Sequence, residues 1–141
     1  MESNDGIRWI QRYDNYHKAC LRVQEVTSGN KSLKDLTELE REGLVQRFEY
    51  TFELAWKVLQ DLLIFKGYEF VKGPNGTLQQ AFEDGIITNH DGWRAMAKAR
   101  TITTHTYDED DILDIANDIY EVYAPLLTDL DNYLYKLIEK Q

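Results

Sequence analysis

Leu44-Val45-Gln46-Arg47-Phe48-Glu49-Tyr50-Thr51-Phe52-Glu53-Leu54-Ala55-Trp56-Lys57-Val58-Leu59-Gln60-Asp61-Leu62-Leu63 decides the fold. Leu44, Phe48, Phe52, Ala55, Leu59 and Leu62 recur at threes and fours, and Trp56 and Leu63 widen the stripe. That is the period of an α-helix burying one broad face. A helix beginning between Leu33 and Glu42 and running to Lys66 is expected. Gly67 is placed to end it, because glycine tolerates the left-handed conformation past a helix terminus.

The flanking chain reads the same way. Trp9, Tyr13, Tyr16, Cys20 and Val23 predict a helix over residues 7–27, closed by Ser28-Gly29-Asn30. Val71 to Gly76 reads as a turn, after which Thr77-Leu78-Gln79-Gln80 resembles a capping box opening a short helix through Ile86. A fourth helix is expected from Trp93 to about Thr104, after a turn at Asn89-His90-Asp91-Gly92. From about Asp108 to Lys140 the line Ile112, Ile115, Ile119, Val122, Leu126, Leu130, Tyr133, Leu137 predicts a last, long helix, kinked at Pro125. The expected fold class is all-α: an antiparallel, up-and-down bundle of four to five helices forming one domain over residues 1–141.

Composition narrows the function. A chain of 141 residues buries a real core, and two prolines with eight glycines argue against a loop-rich or all-β fold. The single cysteine, Cys20, excludes an intrachain disulfide and any multi-cysteine metal site. No apolar run is long enough to span a bilayer, and Met1-Glu2-Ser3-Asn4-Asp5 lacks the regions of a signal peptide, so a cytoplasmic setting is expected. A net charge of -9 repels nucleic acid at long range and suits a basic protein partner, while leaving room for a local, screened RNA site.

Such a local site is visible. Between Gly92 and Tyr107 the chain carries Arg94, Lys98 and Arg100 and no carboxylate, a basic island in an acidic protein. Arg100 is suited to a phosphate and His105 to proton transfer near neutral pH. Five residues turn through roughly 500° on an ideal helix, which leaves these two about 140° apart. Arg100 instead shares a face with Thr104 and, further on, Tyr107. Arginine and histidine converge only if the helix ends before His105 or the arginine arm reaches round. Other candidates read blandly. Asp108-Glu109-Asp110-Asp111 opens a helix, where negative charge is favoured, and is not read as a metal site. Gly73-Pro74-Asn75-Gly76 lacks the Gly-Lys-Ser/Thr ending of a phosphate loop. His17 and His90 stand isolated, although His90 adds charge to the island.

Arg100-x4-His105-x-Tyr107 together with Gln46-Arg47-Phe48-Glu49-Tyr50-Thr51-Phe52-Glu53-Leu54-Ala55-Trp56-Lys57 resembles the HepT branch of the HEPN proteins. That group is also called nucleotidyltransferase substrate-binding proteins, and the likeness extends from about Arg8 to Leu137. The resemblance implies a HEPN-like bundle that forms a homodimer and brings two motif copies into one cleft. It implies a minimal nucleotidyltransferase as heteromeric partner, acting as antitoxin to a metal-independent RNase toxin, with RNA (tRNA among the possibilities) or a nucleotide as ligand. It implies no cofactor. Arg100 and His105 take the catalytic roles, and Tyr107 the position that the transferase modifies with AMP. Arg94 and Lys98 are expected at phosphates, and Thr104 in support. Glu53 either orients Arg100 or His105 or is an ordinary surface carboxylate. The alternative function is a non-catalytic substrate-binding subunit of a two-component nucleotidyltransferase; plain scaffolding is a third.

Overall fold

The computed structural model describes residues 4–69, 72–105 and 108–140, with the side chains of Asn4, Asp5, Thr104 and His105 outside that description. Tyr107 lies outside the described residues altogether. The described chain forms helices α1 (Asn4–Thr27), α2 (Glu38–Phe65), α3 (Gly73–Glu83), α4 (His90–His105), α5 (Glu109–Asp118) and α6 (Ala124–Glu139). A short 3₁₀ turn, Leu33–Asp35, precedes α2, and a π turn, Ile119–Tyr123, joins α5 to α6. No strand occurs among the described residues, so the chain is the all-α bundle its periodicity predicts.

Cross-helix bonds fix the directions. Arg12 on α1 pairs with buried Asp61 on α2, and Arg47 on α2 donates to the Arg22 carbonyl at 2.7 Å. Rising numbers on α1 meet falling numbers on α2, so the pair is antiparallel. Tyr16 donates to the Leu127 carbonyl at 2.6 Å, and Tyr120 to the Val26 carbonyl at 3.3 Å, which runs the last helical stretch antiparallel to α1 as well. Trp9, Tyr13, Tyr16, Cys20 and Val23 are all buried in the resulting core, with Leu44, Phe48, Phe52, Ala55, Leu59 and Leu62 from α2. Burial pushes the Cys20 thiol up to about 12, so this cysteine is a small core hydrophobe with little thiolate.

α2 starts within its expected range, but α3 and α4 start earlier than the sequence suggests, at Gly73 and His90. The capping box opens α2, where Thr37 Oγ1 accepts from the Glu40 amide at 3.1 Å and Glu40 Oε1 accepts from the Thr37 amide at 2.9 Å. At Thr77 there is none. α3 begins at Gly73 with Pro74 in its first turn, and the Thr77 hydroxyl donates back to the Gly73 carbonyl at 2.7 Å. Proline lacks only an amide hydrogen that the first turn leaves unused, so the expected turn becomes helix. α3 also ends earlier than Ile86. Gly85, at φ 76°, reverses the chain as Ile86 donates to the Ala81 carbonyl, the same closure that Gly67 gives α2.

The expected kink at Pro125 takes the form of the π turn before it. The Ala124 amide bonds to the Ile119 carbonyl, five residues back, and inserts one extra residue into the helical count. The core register therefore jumps by one. Ile112, Ile115, Ile119 and Leu130 are buried as expected, but Tyr123, Leu127 and Leu134 face inward as well. Val122 and Tyr133, expected in the core, are exposed, and Leu126 and Leu137 are partly buried. His17 also departs from expectation: its Nδ1 lies 2.9 and 3.1 Å from the carboxylate oxygens of buried Asp131, tying α1 to α6.

A cationic cleft as the candidate functional site

Asn89 starts the helix that carries the basic island, its Oδ1 accepting from the Gly92 amide at 2.9 Å. Along α4, Trp93, Met96, Ala99 and Thr103 turn into the core, so the helical period leaves Arg94, Lys98 and Thr101 on an exposed stripe. Arg100 falls on the border between the two faces, half-buried against α2. Its guanidinium lies 3.7 Å from Glu53 Oε2, and Glu53 in turn lies 3.8 Å from Lys57 Nζ. Glu49, one turn earlier on α2, feels the charge of Arg100 and lies near the Thr103 hydroxyl, which itself donates to the Arg100 carbonyl at 2.9 Å. Because 53 lies by 100 while 49 lies by 103, α4 runs antiparallel to α2.

These helices enclose a cleft of about 820 Å³. Phe52 and Glu53 form its floor, Pro74, Asn75 and Gln79 of α3 one wall, and His90, Asp91, Arg94, Lys98, Arg100 and Thr101 of α4 the other. His90 stacks on Phe82 with ring centroids 4.9 Å apart. Arg94 and Lys98 make no ion pair among the described residues, which leaves two cations facing the cleft. Sequence reasoning named Arg94, Lys98, Arg100 and Glu53, and one cleft brings all four together. It gave no role to Glu49, Asn75, Gln79 or Asp91, and left His90 as an isolated residue.

The motif itself is described in part. α4 includes His105, so the helix does not end before it, and positions 100 and 105 stay about 140° apart around one axis. The acidic segment starts its own helix where expected, after His105. Asp108 is its N-cap, accepting from the Asp110 amide at 3.0 Å, with Glu109, Asp110 and Asp111 in the first turn. The side chains of Thr104 and His105, and all of Tyr107, lie outside the described residues. Among the described residues no group of three or more His, Cys, Asp or Glu is arranged to hold a metal ion, and no helix is long and apolar enough to cross a membrane.

Glu49 offers a test of the arrangement. Burial raises its pKa above the ordinary 4.5, against the opposing pull of Arg100 and the Thr103 hydroxyl. A raised folded-state pKa means that folding favours the protonated form. The associated stability is therefore present below the ordinary value and lost as pH rises through the folded one. Glu49→Gln is expected to melt above wild type at pH 7 and to converge with it below about pH 4. A wild-type advantage at neutral pH would show instead that the Arg100 attraction outweighs desolvation.

The sequence profile of a family described as nucleotidyltransferase substrate binding protein like matches residues 11–136. The chain belongs to that family. A crystal structure of a Thermus thermophilus protein shares its fold with a TM-score of 0.73 and 31% identity, covering 82% of this chain and 94% of the other. The chain is also similar to a protein named probable ribonuclease HepT from Haemophilus influenzae, 33% identical over 72 residues. That match takes in 48% of this chain and spans about half (49%) of the relative's own length. As a member of the substrate-binding protein-like family, the chain places the cleft between α2, α3 and α4 inside the matched region.

Proposed function

We propose that this chain is a metal-independent ribonuclease of the HepT type, working as a homodimer and paired with a minimal nucleotidyltransferase that restrains it. The observation that carries the reading is Arg100. This permanent cation lines a cleft beside the Glu53 carboxylate of α2, in a chain that continues Arg100-x4-His105-x-Tyr107. Cleaving RNA without a metal requires removing a proton from a 2′-hydroxyl, stabilising charge on the phosphorus-bound oxygens and protonating the departing 5′-oxygen. Arg100 offers charge and a fork of donors to the phosphate. Glu53 holds its arm against α2, and Arg94 and Lys98 receive neighbouring phosphates. His105 serves as base or acid, histidine being the side chain suited to proton transfer near neutral pH, and two subunits supply one of each. The separation of positions 100 and 105 around α4 favours this sharing, since a second subunit meets the cleft with its own histidine.

The pairing has its own test. Co-expression with its nucleotidyltransferase partner is expected to add AMP to Tyr107, seen as a mass gain on the peptide carrying it and absent from Tyr107→Phe. An unmodified Tyr107, in a complex that does co-purify, would refute restraint by adenylylation. A second reading, a non-catalytic subunit presenting a nucleotide substrate, draws on the cleft volume of about 820 Å³, within the range of small-molecule sites. RNA cleavage by the purified, unmodified protein in EDTA separates the two: cleavage supports the ribonuclease, and ligand binding without it supports the subunit.

A further inference from the structure

The cleft has more room, and a different second wall, than phosphate binding alone requires. Its α4 side presents Arg94 and Lys98 one turn apart. Its α3 side presents Asn75 and Gln79, also one turn apart and both exposed. Gln79 gives one amide hydrogen to Glu83 at 3.0 Å, a surface bond that leaves its carbonyl and second hydrogen for a ligand. Asp91 and His90, the latter backed by Phe82, close one end. A cationic wall therefore faces an amide wall across about 820 Å³. This is the division of labour a nucleotide needs, with charge for the phosphate and paired donors and acceptors for the base.

We infer that Asn75 and Gln79 form a base-reading wall in this cleft, selecting a nucleotide whose base carries an exocyclic amino group, adenine above all, over uracil. This rests on the reading that the cleft receives RNA or a nucleotide. A carboxamide offers its acceptor and donor side by side, matching the amino group and ring nitrogen on one edge of adenine. Asp91 strengthens the choice, because its carboxylate accepts from an amino group and repels the carbonyl oxygens of uracil. Arg94 and Lys98 contribute affinity without regard to sequence, since phosphates carry none.

Binding of labelled 2′-O-methyl oligoadenylate and oligouridylate, measured by fluorescence anisotropy, tests this apart from cleavage, because these strands lack the 2′-hydroxyl that cleavage consumes. Wild type is expected to favour oligoadenylate by about tenfold, the scale of one good bidentate base contact. The Asn75→Ala/Gln79→Ala protein, with unchanged circular dichroism, is expected to bind both strands alike. Arg94→Ala/Lys98→Ala is expected to weaken both together and keep the preference. Equal binding of both strands by wild type overturns the inference, as does a preference that survives loss of the two amides. RNA cleavage accompanied by equal binding sinks the base-reading wall and leaves the ribonuclease. A preference with no cleavage of ordinary RNA does the reverse.

Discussion

Arg100→Ala is expected to lower RNA cleavage by about 10²–10³-fold, the loss usual when one preorganised donor to developing charge is removed. Arg100→Lys is expected to recover little, because an ammonium cannot reproduce the planar fork that meets two phosphate oxygens at once. Stability should barely follow. The Glu53 pair is a loose 3.7 Å contact between half-exposed groups, and such pairs contribute about 0–1 kcal/mol. A thermal melt beside single-turnover cleavage separates the two effects. A lysine variant with near-wild-type cleavage would show that Arg100 supplies charge alone.

The largest expected effect on stability lies in the core packed under α2. Phe48 is fully buried, its ring stacked on Tyr123 of the π turn at 5.3 Å and tilted against Phe52 at 6.4 Å. Phe48→Ala removes the ring that joins α2 to the irregular turn and opens a cavity that the packed helices cannot fill. It is expected to cost about 3–5 kcal/mol, read as a fall in the urea midpoint. Tyr50, two residues along but 62% exposed, is the control, and its alanine variant should stay within about 0.5 kcal/mol of wild type.

The same contrast explains what the sequence discloses. The inward faces of α1 and α2 follow an unbroken period of threes and fours, so Trp9 to Val23 and Leu44 to Leu62 are legible one residue at a time. The π turn breaks that period. One inserted residue sends Tyr123, Leu127 and Leu134 inward in place of Val122, Leu126 and Tyr133, and periodicity extended through Pro125 cannot anticipate the shift. Local chemistry misleads at Thr77, where a capping pattern sits inside a helix already begun at Gly73. Links between distant segments are the least legible. His17 has no suitable neighbour on its own helix and finds Asp131 only when α6 packs across α1.

The candidate site divides along the same line. Its charged core is legible because Arg94, Lys98 and Arg100 are close in sequence and stand out against an acidic chain. Glu49 lies in the quoted segment of α2, yet it faces Arg100 only because α2 and α4 run antiparallel. Asn75 and Gln79 are ordinary surface amides until α3 brings them opposite the cationic stripe.

The most direct measurement is cleavage of total tRNA in EDTA by the purified protein, with Tyr107 shown by mass to be unmodified, run beside His105→Ala. Wild type is expected to cleave and the variant to lose about 10²–10⁴-fold, the range for a positioned acid or base. Intact tRNA with both proteins, at concentrations where each is dimeric, would contradict the ribonuclease and leave the cleft as a binding site.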